Sequence, residues 1–349
     1  MTAAVVPLTP DSRFTLIQSG RPADDFGRDV RAGLTAPSKW LAPIWFYDEL
    51  GSSLFDSICF LPEYYVMRAE AEALTAFRNE IVDAFGSGIR LVELGSGAAR
   101  KTRILLDVLV PRQPELEYVP VDVDAAMLER SGRELLTTYE SLRVTAVCSD
   151  FSRPTVALAR LAPHRGRTVV LFLGSTIGNL DPEAAAAMLT DLRSALAPGD
   201  ALLLGADLRK SRTILEPAYD DALGVTAAFN LNLLARINRE LGGHFPLNGF
   251  RHRAFYDDTR GRIEMHLVSM RAQRVRIDAL ELDVDFAEGE SIHTESSYKH
   301  DDATLAALAR TCGFTVERQW TDARRWFADV LMIAGSPSPG EGSVSAEKT

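Results

Sequence analysis

Glu93-Leu94-Gly95-Ser96-Gly97 puts an acid and two closely spaced glycines at the end of an apolar run, 89–94, with helix-forming residues after it. Such a turn suits a ligand that must lie against backbone. Glycine adopts positive φ and has no Cβ to obstruct the ligand, while the first amides of a following helix are unpaired donors. Two phosphate-binding patterns compete for these residues. A P-loop needs a second glycine ahead of its Lys-Thr pair, and Arg100 stands in that place before Lys101-Thr102. A dinucleotide fingerprint needs glycine or alanine there for close packing of helix on strand, and Arg100 spoils that as well. What survives is an acid-x-Gly-x-Gly nucleoside cradle. Two further strand ends carry suitable groups: Asp122 after 117–121, and Asp150-Phe151 after 143–147. A carboxylate there can accept from both ribose hydroxyls or from an adenine amino group, and an aromatic ring can cover the base. Asp124 is better read as a helix cap. Lys101 either reaches a ligand carboxylate or stays solvated.

Composition narrows the partners. The chain has 349 residues, 46% of them hydrophobic, which suffices for a large core in one elaborated domain or two. A net charge of −10 argues against nucleic acid, whose binding relies on Lys and Arg neutralising phosphates. A small-molecule substrate is expected, and a monomer. Cys59, Cys148 and Cys312 form no disulfide framework or metal-ligand spacing, and no metal is expected. With no apolar run near the ~20 residues of a membrane span, and no basic-then-apolar start, a cytoplasmic location is expected.

Acid-x-Gly-x-Gly is similar to the first motif of S-adenosylmethionine-dependent methyltransferases, and the wider pattern agrees. Strand-like runs at 89–94, 117–121, 143–147, 168–173 and 201–206 alternate with helices starting near Ala98, Ala125 and Pro182, which indicates a parallel sheet covered on both faces. Ligands in such folds sit beyond the carboxyl ends of the strands. A helix at 302–311 and a strand pair at 314–320 and 328–334 would complete the seven-stranded, Rossmann-like sheet of a class I methyltransferase. About 90 residues, 209–299, interrupt that sheet with a long helix at 218–241 and strands at 262–270 and 280–286. The expected division is an α+β substrate lobe from 14–68 and 210–298, and a cofactor domain from 69–209 and 299–335. Residues 1–13 and 336–349, rich in Pro, Gly, Ser and charge, are expected to be disordered.

Gly174-Ser175-Thr176-Ile177-Gly178-Asn179-Leu180, taken with Trp45-Phe46-Tyr47-Asp48, Leu61-Pro62-Glu63-Tyr64-Tyr65 and Ala218-Tyr219-Asp220-Asp221, closely resembles the bacterial histidine Nα-methyltransferases of ergothioneine biosynthesis. The likeness covers nearly all the folded chain. It implies a two-lobed enzyme that moves three methyl groups in succession from S-adenosylmethionine to the α-amine of L-histidine, giving hercynine. It also implies cofactor contacts from Tyr47, Gly95, Lys101, Asp122, Asp150 and Phe151, in agreement with the strand-end reading, which adds Gly97. On the substrate side it implies Tyr64, with Asn179 and Tyr219 on the carboxylate, Glu295 and Ser297 on the imidazole, and Met265 as a pocket wall. The sequence departs from the family at Ala98-Ala99-Arg100 and in the more polar Ser296-Ser297-Tyr298.

Methyl transfer from a sulfonium is an in-line displacement, so positioning dominates and the amine must be neutral when it attacks. Tyr47 is expected to orient the amine, with the Gly174 carbonyl or a water near Thr176 accepting its hydrogen. Aromatic rings such as Tyr47 and Phe55 suit the growing quaternary ammonium. The six histidines look uninvolved, His293 least safely because it lies two residues from Glu295. Two other readings compete. The same scaffold can methylate tryptophan or tyrosine, which retention of Met265 and Glu295 disfavours, or serve as a non-catalytic binding module, which Tyr47 and Asn179 disfavour.

Overall fold

The computed structural model describes residues 11–18 and 25–336. Expectations for 1–10 and 337–349 therefore lie outside the described residues. Six strands run parallel: β1 (Phe14–Gln18), β2 (Arg90–Leu94), β3 (Glu117–Asp122), β4 (Arg143–Cys148), β5 (Thr168–Phe172) and β6 (Ala201–Asp207). Every residue of β2 and β6 is buried, as in strands covered on both faces. The insertion contributes β7 (Phe250–Asp257), β8 (Arg262–Ser269), β9 (Gln273–Ile277), β10 (Leu282–Phe286) and β11 (Ser291–Tyr298), and the chain closes with β12 (Phe314–Thr321) and β13 (Phe327–Ala334). Among the described residues the large sheet has the order β1-β4-β3-β2-β5-β6-β13-β12, with β13 antiparallel to both neighbours.

That sheet has eight strands, where the sequence leads one to expect seven. The extra one is β1. It pairs with β4 at the sheet edge, so Phe14–Gln18 lies in the large sheet and not in the smaller lobe. Close packing holds it there: a Cβ at Gly132 would come 2.6 Å from the Phe14 ring.

Two helix starts also differ from expectation. The helix after the glycine turn begins at Thr102, because Ala99 takes a left-handed φ of 52° and residues 98–101 turn instead. The insertion's long helix is Val225–Leu241, and the expected start at 218 falls in a loop. Gly224, at φ 75°, and the Asp221 carboxylate, accepting from the Val225 and Thr226 amides at 3.0 and 2.7 Å, fix the true start.

Apolar residues on the two faces of the large sheet form two cores. A third core joins residues from 26–69 to the insertion, including Trp45, Phe46, Tyr64, Phe229, Ile263 and Met265. Each large side chain fully buried this way contributes about 1.5–3 kcal/mol. No helix among the described residues is long and apolar enough to cross a membrane.

Candidate active site

The glycine turn is built as a cradle. Gly95 and Gly97 sit at φ 69° and 49°, and a Cβ at Gly97 would meet nothing within 4 Å. Glycine is needed there for backbone shape and leaves open space above it. Glu93, the motif's acid, faces inward: its carboxylate accepts from Thr102 Oγ1 at 2.6 Å and from the Tyr118 hydroxyl. Burial raises its pKa to about 7, against the lowering pull of those hydrogen bonds. It pins the helix start to the sheet and does not face a ligand.

Asp122 ends β3 beside the cradle. One oxygen accepts from the Gly97 amide at 3.0 Å and the other from the Asp124 amide at 3.1 Å, which leaves lone pairs on both for a diol. Burial raises its pKa. Asp124 caps the next helix through the Ala126 and Met127 amides, each at 3.0 Å. Phe151 lies against Gly95 and tilts onto Phe172 at 6.0 Å, while Asp150 accepts from the Ser152 amide at 2.9 Å. A glycine cradle, a diol acceptor and a ring at the third strand end fit an adenosine moiety.

Lys101 is the residue just before the helix, and its ammonium pairs with buried Glu70. The other Glu70 oxygen accepts from the Gly174 amide at 2.7 Å, so Lys101 stands beside Gly174. Gly174 and Ser175 both take left-handed φ, 80° and 57°. The Thr176 hydroxyl donates to the Leu173 carbonyl at 3.0 Å. This sharp turn delivers Asn179 to β11: a Cβ at Gly178 would lie 2.8 Å from the Tyr298 carbonyl oxygen, so only glycine permits that approach. Asn179 and Glu295 also border a cleft of about 390 Å³ whose remaining lining includes Asp181, Arg262, His293 and Ser296, so it opens on the outer side of β11.

A β-bulge decides which β11 side chains face inward. In the pairing of β11 with β8, Glu295 lies opposite Met265 and Ser297 opposite Ile263, while His293 lies opposite His266. The register shift between His293 and Glu295 removes the alternation that would have put both on one face. Glu295, Ser297 and Met265 therefore share a face. His293 turns to the other, beside Glu264 and His266, where the three offer ligand atoms within 4.8 Å of one another. Arg262 already occupies Glu264, at 2.9 Å from its Nε. Burial raises the Glu295 carboxyl to a pKa of about 7, with Lys299 pulling the other way.

An aromatic wall joins the two halves. Tyr47 meets Phe55 and Phe229 at ring distances of 5.7 and 6.0 Å, Phe55 meets Tyr64 at 6.2 Å, and Tyr64 meets Tyr219 at 6.1 Å. Tyr47 keeps 44% of its surface open, yet its phenol pKa is raised by desolvation first and then by Glu295, Cys59 and Asp122. Asp48, capping the next helix through the Gly51 amide at 2.6 Å and tied to Asn232 at 2.9 Å, fixes its backbone.

Three supports were not legible in the sequence. His252 bridges the Tyr219 carbonyl, at 2.8 Å, and the Asn230 side chain, at 2.9 Å, so it braces the loop carrying Tyr219. Phe229 stacks on Phe46 at 4.5 Å behind Tyr47. Lys299, wholly enclosed, joins Asp207 at 2.7 Å to Tyr219 and Ser297, both at 2.8 Å. Tyr219 and Ser297 also bond each other at 2.8 Å, so the residues expected at opposite ends of the substrate are in direct contact.

Comparison with known proteins shows the family. The chain is 48% identical over 300 residues to the histidine N-alpha-methyltransferase of Mycolicibacterium smegmatis, covering 86% of this chain and 92% of that one. It is 46% identical over 295 residues to the protein of the same name from Mycobacterium tuberculosis, covering 84% and 90%. Ergothioneine biosynthesis protein 1 of Schizosaccharomyces pombe is 31% identical over 264 residues, which are 73% of this chain and 34% of that protein. The model of the family described as histidine-specific, SAM-dependent methyltransferases matches residues 26–334, and the chain belongs to that family.

Proposed function

We propose that the chain methylates the α-amine of L-histidine three times, forming hercynine for ergothioneine biosynthesis, and that the residues described above divide the work. When bound, S-adenosylmethionine supplies an electrophilic sulfonium methyl. Gly95, Gly97, Asp122, Asp150 and Phe151 hold its adenosine, and Lys101, neutralised in part by Glu70, stands toward its carboxylate. Asn179 and Tyr219 hold the histidine carboxylate. Glu295 and Ser297 bond the imidazole nitrogens, with Met265 as the wall beside them.

Tyr47 orients the amine, and the Gly174 carbonyl or a water near Thr176 accepts its hydrogen. The rings of Tyr47, Phe55, Phe229 and Tyr64 form a wall suited to an ammonium that gains methyl groups and loses its hydrogen-bond donors. The observation that carries this reading is the continuous run of rings from Tyr47 through Phe55 and Tyr64 to Tyr219, whose hydroxyl bonds Ser297, two residues from Glu295.

Selectivity rests on Glu295. A pocket built to bond a polar ring leaves its own groups unpaired when phenylalanine or tyrosine enters, and rejects them strongly. Incubating the protein and S-adenosylmethionine with histidine, tryptophan and tyrosine, followed by mass spectrometry, tests this. Histidine carrying one, two and three methyl groups is expected. Methylation of tryptophan with histidine untouched would refute it.

A further inference from the structure

The ammonium of Lys299 has no exposed surface and has three protons. All three are committed: to Asp207 Oδ2 at 2.7 Å, and to the Tyr219 and Ser297 hydroxyl oxygens at 2.8 Å each. An ammonium cannot accept, so both hydroxyls must accept from it. They also share one hydrogen bond with each other, at 2.8 Å. Two hydroxyl protons exist, one is spent between the pair, and one remains for a ligand.

Which oxygen keeps that proton sets the chemistry of the pocket. If Ser297 donates to Tyr219, the phenol oxygen accepts twice and its own proton points at the ligand, while Ser297 is left with one lone pair. If the shared bond runs the other way, Tyr219 offers only lone pairs. A substrate carboxylate beside Tyr219 repels lone pairs and selects the first arrangement. We propose that Lys299 is a positioning and specificity-determining residue: by donating to both hydroxyls it leaves Tyr219 a donor toward the substrate carboxylate and Ser297 an acceptor only, so that the bound ring must present an N–H to Ser297. This rests on the functional reading above, which places the carboxylate at Tyr219 and the ring at Ser297.

The surroundings hold Lys299 in this role. Asp207, also with no exposed surface, accepts from the Tyr65 hydroxyl at 2.7 Å and from Lys210, and its backbone amide donates to Ser175 Oγ at 2.9 Å. Asp207 thus anchors the Gly174–Asn179 turn through its amide and the cation behind Tyr219 and Ser297 through its carboxylate. Two cations on one carboxylate leave an excess positive charge behind the hydroxyls, which favours an anionic substrate group in front of them.

Competition against L-histidine methylation tests the proposal in wild type, Lys299→Met and Tyr219→Phe. The competitors are pyrrolylalanine, whose ring nitrogen only donates, and thiazolylalanine, whose ring nitrogen only accepts, each in both ring attachments. Wild type is expected to bind the donor at least about 10-fold tighter, the value of one good hydrogen bond against two facing lone pairs, in the attachment that points nitrogen at Ser297. Tyr219→Phe removes the acceptor of the Ser297 proton, and Lys299→Met unpins both oxygens so that Ser297 can turn its proton from Tyr219 to the ring; in both the ratio falls toward one.

Loss of packing alone would weaken all competitors alike and leave the ratio unchanged. Tyr219→Phe retains the Lys299–Asp207 pair, so an unchanged ratio in that variant overturns the proposal even where Lys299→Met does not fold. A wild-type protein that binds S-adenosylmethionine by calorimetry but neither binds nor methylates histidine removes the functional reading, and the proposal with it.

Discussion

Replacing Glu295 with alanine separates substrate recognition from everything else the site does. Among the described residues none hydrogen-bonds its carboxylate, so the substitution orphans no partner in the protein. The group sits on the inward face of β11 opposite Met265, its carboxyl raised to a pKa of about 7 by burial, and a ring N–H is what would satisfy it. A hydrogen bond to a charged group contributes about 1.5–3 kcal/mol, so the KM for histidine at pH 8 should rise roughly 10- to 150-fold. Asp122 and the glycine turn lie on other elements, and the dissociation constant for S-adenosylmethionine should move by less than about twofold. Calorimetric titration of each ligand, beside steady-state kinetics, measures both. Equal weakening of the two ligands would refute the assignment.

Asp122→Ala should do the reverse, weakening S-adenosylmethionine by roughly 10- to 100-fold, the value of a charge-assisted acceptor, with histidine affinity unchanged when measured by calorimetry. Gly178→Ala forces a Cβ to 2.8 Å from the Tyr298 carbonyl and should displace Asn179 from β11, raising the KM for histidine several-fold and lowering stability by about 1–3 kcal/mol in thermal unfolding. Glu93 titrates at about 7 in the folded chain and 4.5 in its ordinary state, so between those pH values the folded form holds the extra proton and stability falls as pH rises. Thermal unfolding at pH 5 and pH 8 should show a smaller pH-dependent loss in Glu93→Gln than in wild type. An equal loss in both would place the titrating group elsewhere.

The parallel strands were legible because each is a short apolar run closed by a polar or glycine turn, and the hairpin of β12 and β13 follows a helix ended by Gly313. β1 was not, because Phe14–Gln18 is five residues long and finds its partner at Val144–Cys148, more than a hundred residues away. The cradle and Asp122 could be placed from strand ends alone, since ligand position in this architecture follows from strand polarity. The substrate residues, Asn179 among them, came from the family resemblance, because nothing in their spacing brings Tyr47, Tyr219 and Glu295 together.

What the sequence hid is mostly buried charge. Lys299 reads as a solvated lysine at the end of a polar strand until Asp207, at the far end of β6, is seen to hold it. Glu70 likewise looks like a helix-surface acid, yet it is buried between Lys101 and the Gly174 amide. The bulge after His293 has no signature in Ser291–Tyr298 that simple alternation would reveal, and it alone explains why Glu295 faces the site while His293 does not.

The arrangement of Glu295 and Ser297 on the ring and Tyr47 at the amine makes a claim about which nitrogen reacts. S-Adenosylmethionine carrying a ¹³C-labelled methyl, turned over with L-histidine and followed by NMR, locates every transferred carbon. The account predicts that all label converges on one trimethylammonium resonance at the α-nitrogen, with the imidazole unlabelled. Label on a ring nitrogen would contradict it.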